Sequence, residues 1–182
     1  HKYNLLCHRY FMRSLGWGII TAATIYLASL VLPENETPWI AFFIIMLYTL
    51  MEIDKRMLLL PDILTVPLLI VGFSYAVFAG GMLGYEPAAS AANSALGAAA
   101  GYVIPVIASL FLIKKYPEAF GGGDIKLLSA VGSWVGLTNI PYVILLSCLL
   151  FAVSCFINKQ RQGAFGPSIV IASLIILFLS EY

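Results

Sequence analysis

What most constrains this chain is where its charges are missing. No Asp, Glu, Lys or Arg interrupts residues 14–33, 37–51, 63–85, 87–113, 127–158 or 162–180. A helix that crosses a bilayer needs roughly 20 apolar residues, with a range of about 17–25, and most of these stretches lie in or near that range. The composition agrees, with 61% hydrophobic and 10% charged residues, where soluble domains run near about 45–50% and 25%. A soluble globular enzyme, a disordered chain and a nucleic-acid binder are thereby excluded. The last would need a basic excess, whereas ten Lys and Arg against nine Asp and Glu leave a net charge of +1. No segment alternates in the apolar-out, polar-in manner of a barrel strand. The expected fold is all-α: a polytopic transmembrane helical bundle of six to seven membrane segments, read as a single membrane-embedded domain over 1–182.

Stretch 127–158 is too long for one crossing, and it contains the turn-like Thr138-Asn139-Ile140-Pro141. The spacing predicts a hairpin: a short helix near 127–138, then a span near 141–157. Charge supports it. With the N-terminus in the cytoplasm and sides alternating, Lys2, Arg9, Arg13, Lys55, Arg56, Lys114, Lys115, Lys126, Lys159 and Arg161 all fall inside, as the positive-inside rule expects. A single crossing would move Lys159 and Arg161 outside. Residues 1–13 mix basic and apolar side chains and read as a cytoplasmic interfacial segment. A helix of about 12 residues covers roughly 18 Å, less than a hydrocarbon core of about 30 Å. Such a helix is tolerated only where its irregular end is buried in protein or lines a wet cavity. The residues just before it are Gly121-Gly122-Gly123-Asp124. Cys7, Cys148 and Cys155 make no metal-spaced pair, and Cys148 and Cys155, inside apolar runs, are expected to be small core residues rather than a disulfide framework.

The three aspartates, Asp54, Asp62 and Asp124, all fall at predicted cytoplasmic ends of spans. Ionisable residues near membrane depth are costly and point to function. Two close carboxylates that share a proton can activate a water, one taking its proton while the other protonates a carbonyl, so the pair cuts a peptide bond without metal or covalent nucleophile. Each aspartate also has a plainer reading. For Asp124, spacing alone favours an N-cap on the helix beginning at Ile125. Asp62, after Pro61, reads best as a cap of the next helix. Asp54, beside Lys55 and Arg56, reads equally as a solvated interfacial charge. Glu52 is expected to reach toward the interface. Gly121, Gly122 and Gly123 free the backbone and admit close approach. An anion-binding turn is disfavoured, because no Gly-Lys-Ser/Thr follows and Asp124 would repel phosphate. Lys126 reads as a solvated charge before a partner for a carboxylate or lipid head group. Gly97 and Gly101, in the Ala-rich stretch 88–101, read as helix packing first and substrate contact second.

Asp54-Lys-Arg-Met-Leu-Leu-Leu-Pro61-Asp62 followed by Ile-Leu-Thr-Val-Pro67 resembles the first aspartate block of the prepilin peptidases, or type IV leader peptidases. Gly121-Gly122-Gly123-Asp124-Ile-Lys126, running on to Gly132, resembles their Gly-x-Gly-Asp block, and Phe165-Gly166-Pro167 resembles the segment that opens their last helix. The resemblance implies a multi-pass aspartic endopeptidase of the bacterial inner membrane that cuts the basic leader from prepilins and pseudopilins at the cytoplasmic face. It assigns Asp54 and Asp124 as the catalytic pair, with Asp62, Pro61, Gly121, Gly123 and Lys126 as motif or substrate-supporting residues, and no metal. A dipole at the short helix points to Asp124 as the base, although the proton belongs to the pair. Glu52, Asp54 and Asp62 are expected to supply the negative field for the leader. The partners implied are the substrate, with its basic leader and apolar helix, and the lipid bilayer, with no nucleic acid.

Many members of that family carry paired Cys-x-x-Cys motifs near the N-terminus and methylate the new N-terminus with S-adenosylmethionine. No such pair occurs here, so cleavage without a cofactor is expected, and S-adenosylmethionine only if a missing front part, left open by the start at His1, carries methyltransferase activity. Other protease classes fail on residues. There is no His-Glu-x-x-His and no Gly-x-Ser-x-Gly, and His1 and His8 both precede the first span. The alternatives are a preflagellin peptidase, a presenilin-like intramembrane protease, against which the Pro61-Asp62 block speaks, or a small ion transporter, against which the edge position of the acids and the lack of an internal repeat speak.

Overall fold

The computed structural model describes residues 2–31, 34–80, 86–112, 121–158 and 163–180, with side chains from residue 16 onward. Lys114, Lys115, Lys159 and Arg161 lie outside the described residues, as do the side chains of Lys2, Cys7, Arg9 and Arg13. Six helices account for the described secondary structure: α1 (Lys2–Val31), α2 (Thr37–Met57), α3 (Asp62–Ala79), α4 (Pro87–Leu112), α5 (Gly122–Asn158) and α6 (Gly166–Ser180). In α1 the backbone is helical from Lys2 onward, so 2–13 and the following apolar stretch form one helix. Four helices, α2 to α5, are long and apolar enough to cross a membrane. The protein is a multi-pass helical membrane bundle.

Local chemistry sets the ends. Proline stands in the first turn of α2, where its missing N–H is harmless. Lys55 and Arg56 occupy the last turn, where cations meet the helix dipole favourably. Leu58 then takes a left-handed conformation (φ 51°) that stops the helix, and Pro61, in extended conformation, opens α3. Gly80, at φ 80°, ends it.

The break in α5 sits at Gly136 (φ 76°, ψ 176°), not at Thr138–Pro141. A short arm, 122–135, precedes it and a long arm, 137–158, follows. Glycine tolerates that conformation where other residues are strained, whereas Pro141 fits near the start of the new arm without breaking it. The chain reverses there. Phe151 lies about four turns beyond Gly136, roughly 22 Å of helix. Its ring nevertheless packs edge-on against Phe165, with centroids 5.2 Å apart. The next residue, Gly166, bonds to Asp54, and Leu60, just beyond the end of α2, packs on Gly123 at the start of the short arm. The long arm has therefore returned to the level from which the short arm set out. Counting both arms gives the seven helical segments that the hairpin reading expects.

The short arm is the centre of the bundle. Leu127, Leu128, Ala130, Val131, Trp134 and Val135 are all buried. Against α4 the two backbones nearly touch: a Cβ on Gly97 would meet the Gly132 carbonyl oxygen at 2.3 Å, and one on Gly101 the Leu128 carbonyl oxygen at 2.3 Å. Small residues permit such approach, and in lipid close packing and interhelical hydrogen bonds drive association. Both kinds of contact occur, since Ser129 donates to the Ala98 carbonyl at 2.9 Å and Ser94 to the Ser133 carbonyl at 2.7 Å. The packing reading of Gly97 and Gly101 therefore holds. Toward α2 and α3, Trp134 stacks on Phe43 (4.7 Å) and Tyr75 (5.5 Å) and donates its indole N–H to the Leu68 carbonyl at 2.8 Å. On the other side α1 rests on α2 through Trp17 and Tyr48.

Because the atoms facing Gly132 are backbone, they cannot swing aside. Gly132→Ala, whose Cβ would stand 2.2 Å from the Gly97 carbonyl oxygen, is expected to lower unfolding stability by about 1–3 kcal/mol. Gly18→Ala, which meets nothing within 4 Å, is expected not to lower it and to raise it by up to about 1 kcal/mol, as alanine does in a helix interior. Denaturation of the detergent-solubilised protein, followed by circular dichroism, measures both.

Candidate active site

Three helix ends meet at one end of the bundle. Asp54 comes from the last turn of α2 and is only 5% exposed. A solvated interfacial charge would not be buried, so that reading is overturned. The partner that allows the burial comes from α6. The first amides of a helix have no partner within it, and the Gly166 N–H donates to Asp54 Oδ2 at 2.8 Å. The Phe165 carbonyl takes the N–H groups of Ser168 and Ile169, and Pro167 has none to offer. Asp54 thus serves as a tertiary cap for α6, supplied from a different helix. Glycine is required at 166 because a Cβ there would stand 2.6 Å from Asp54 Oδ2 and 3.0 Å from Cγ.

Asp124 enters from the start of α5. The helix begins at Gly122 rather than Ile125, which makes Asp124 its third residue. Its own N–H bonds to the Gly121 carbonyl at 3.1 Å, while its carboxylate accepts the Gly121 N–H. That is half of a capping box, in which the third residue reaches back to the amide before the helix. The capping reading was right in kind and inverted in position. The same geometry brings Asp124 close enough to Asp54 for the two charges to interact. The structure therefore brings within electrostatic reach of each other the two aspartates that the family resemblance names as a pair.

The other predicted residues surround this pair. Gly121 lies against the Asp124 carboxylate, where a Cβ would be 3.0 Å from Oδ2. Gly123 lies under the loop before Pro61, where a Cβ would be 3.0 Å from Leu60 Cβ. Gly122 faces open space. Asp62 does not cap α3: the capping position is held by Pro61, and no side-chain cap bond is made. Its carboxylate instead receives Lys126 Nζ on both oxygens, each at 2.7 Å. This corrects the cap reading for Asp62, and it gives Lys126 the carboxylate partner that was its second reading, in a pair that stays half exposed. Glu52 reaches along its own helix to Arg56, with Nε to Oε1 at 2.7 Å. The charges of Glu52 and Asp62 are thus already balanced by Arg56 and Lys126, which undercuts their expected role as a free negative field. Lys55 lies over the Trp17 ring, 4.8 Å from its centroid. Among the described residues no three His, Cys, Asp or Glu side chains converge as a metal-binding group.

Gly166 and Leu60 are the residues that reading the sequence left out of the site. Phe165-Gly166-Pro167 was visible as a helix opener, but nothing local says that its amide faces an aspartate far back in the chain.

A sequence model described as the type IV leader peptidase family matches residues 41–156, which include both aspartates, Gly121, Gly123 and the α5 reversal. The chain belongs to that family. Among curated relatives, a prepilin leader peptidase/N-methyltransferase of Vibrio cholerae is 30% identical over 93% of this chain and 65% of its own length. Proteins of the same name from Aeromonas salmonicida and Xanthomonas campestris are 34% identical over 91% of this chain and 51% of their length, and 42% identical over 69% and 44%. The chain spans between about half and two thirds of the length of the curated relatives it matches first. No solved structure matches it.

The Asp54–Gly166 contact is a steric test of this site. Gly166→Ala is expected to force the carboxylate from its amide and to lower stability by about 1–3 kcal/mol. Gly122→Ala, pointing into open space, is expected to stay within about 0.5 kcal/mol of the unmodified protein. Parallel thermal unfolding curves in one detergent measure the difference.

Proposed function

We propose that this chain is an aspartic endopeptidase that removes the basic leader from type IV prepilins or pseudopilins at the cytoplasmic face of the bacterial inner membrane. The observation that carries the reading is the placement of Asp54 and Asp124. They come from separate helices, interact at one end of the bundle, and are each held by one backbone N–H, from Gly166 and Gly121. The family and the names of the relatives supply the reaction class and the substrate.

With one proton shared between the carboxyl groups, the ionised one takes a proton from a water lying between them, and the hydroxide formed attacks the scissile carbonyl. The protonated one gives its proton to the carbonyl oxygen. Collapse of the tetrahedral intermediate breaks the C–N bond: the carboxyl that took the water proton gives it to the departing nitrogen, and a hydroxyl of the intermediate returns its proton to the other carboxylate, which restores the shared proton. Each carboxylate keeps one oxygen fixed by its amide, which pre-organises the pair. The basic residues near the site, Lys55, Arg56 and Lys126, support an orientation with this end toward the cytoplasm. The substrate's apolar helix stays in the bilayer beside the bundle.

Methyl transfer, the other activity in the relatives' names, is not assigned to the described residues.

Leader removal from a synthetic prepilin by the purified protein in detergent tests the proposal. Asp54→Asn and Asp124→Asn are each expected to cut the rate by at least about a hundredfold, the low end of what positioned acid–base groups contribute, with helical content unchanged. Wild-type rates in either variant would remove that aspartate from the mechanism.

A further inference from the structure

The connection between α2 and α3, residues 58–61, makes three attachments that bear on both aspartates. At its start the Leu58 N–H donates to the Asp54 carbonyl at 2.9 Å, closing α2 in a left-handed turn. In its middle Leu60 is buried (6% exposed), although its neighbours Met57, Leu58 and Leu59 are all exposed. It is buried against the Gly-x-Gly-Asp turn, its backbone N lying 3.4 Å from where a Cβ of Gly123 would stand. Just past its end, Asp62 holds Lys126, two residues beyond Asp124, by both carboxylate oxygens.

We infer that this connection is a strap that sets the register between the two aspartates, and that Asp62 and Lys126 are positioning residues that pin it to the first turn of α5. The inference rests on the two-aspartate peptidase reading. Exposure argues against a stabilising role: the two side chains are 50% and 60% exposed, and an ion pair so open to solvent adds little to stability. Geometry gives it a different use. α2 and the short arm of α5 are far apart in sequence, and at their aspartate ends the strap bridges them directly. A shift of the turn by a fraction of an ångström would change the space for the water between the carboxyl groups, and misplacement by about 1 Å costs roughly a hundredfold in rate. A role in binding the leader is disfavoured, because Lys126 already covers both Asp62 oxygens.

Steady-state leader removal from a synthetic prepilin tests this in Asp62→Asn, Lys126→Met and the exchanged pair Asp62→Lys with Lys126→Asp. Each single change is expected to lower kcat by about tenfold with KM within about twofold, as misplacement of the reacting groups requires. The exchanged pair is expected to return kcat to within about threefold of wild type, because the ion pair is re-formed with its ends swapped. A rise in KM with kcat unchanged would place the pair on the leader and overturn the inference, and so would an exchanged pair as slow as the single variants. Amide hydrogen exchange over residues 121–126 reads the strap without any cleavage. Exchange is expected to speed up in the single variants and recover in the exchanged pair, and unchanged exchange would overturn the inference. An inert wild type with these exchange changes present would sink the peptidase reading and leave the strap standing.

Discussion

A helix that stops part-way through an apolar interior leaves backbone groups that no water can satisfy, and each such group costs several kcal/mol in hydrocarbon. The short arm of α5 is such a helix, and the bundle is arranged around supplying its end. Gly136 turns the chain, and the Asn93 side chain of α4 accepts the Leu137 N–H at 3.0 Å, so the new arm begins with a bonded amide. The side chains of the last turn are satisfied as well: Ser133 bonds to the Ala130 carbonyl and Trp134 to the Leu68 carbonyl. Because the arm is buried from Leu127 to Gly136, the turn that precedes it is placed as well, and that turn carries Asp124.

The aspartate pair follows from the same logic applied to helix starts. α5 and α6 both begin at this end of the bundle, and each presents unpaired amides there. One amide from each goes to an aspartate: Gly121 to Asp124 within the same turn, Gly166 to Asp54 from another helix. The two acids are thus held by the features that make helix N-termini hospitable to anions. Glycine is needed at 166, where a Cβ would stand 2.6 Å from Asp54 Oδ2, fits closely at 121 and 123, and has open space at 122. A row of three glycines in the sequence therefore contains one position with room to spare.

The segments and their membrane character were legible because charge and hydropathy are properties of single residues, and a bilayer reads them one stretch at a time. The hairpin within 127–158 was legible for the same reason, through the positions of Lys159 and Arg161. Its exact turn was not. Thr138-Asn139-Ile140-Pro141 carries the stronger local turn signal, yet Gly136 makes the break, because only there does Asn93 stand ready to take the next amide. Asp62 went wrong in a similar way. Pro-Asp before an apolar run is a good local cap, but a lysine from the start of α5 competes for the same carboxylate and wins it.

By itself, then, the chain determined that it would be a bundle of apolar helices, which residues could do acid chemistry, and at which helix ends they would sit, since these follow from composition and spacing alone. Only the tertiary structure decided that Asp54 faces Gly166, that Leu60 lies on Gly123 and that Asp62 takes Lys126. Those contacts join residues distant in sequence, and what selects them is steric room and unpaired amides at the point where three helix ends converge, which no local pattern encodes.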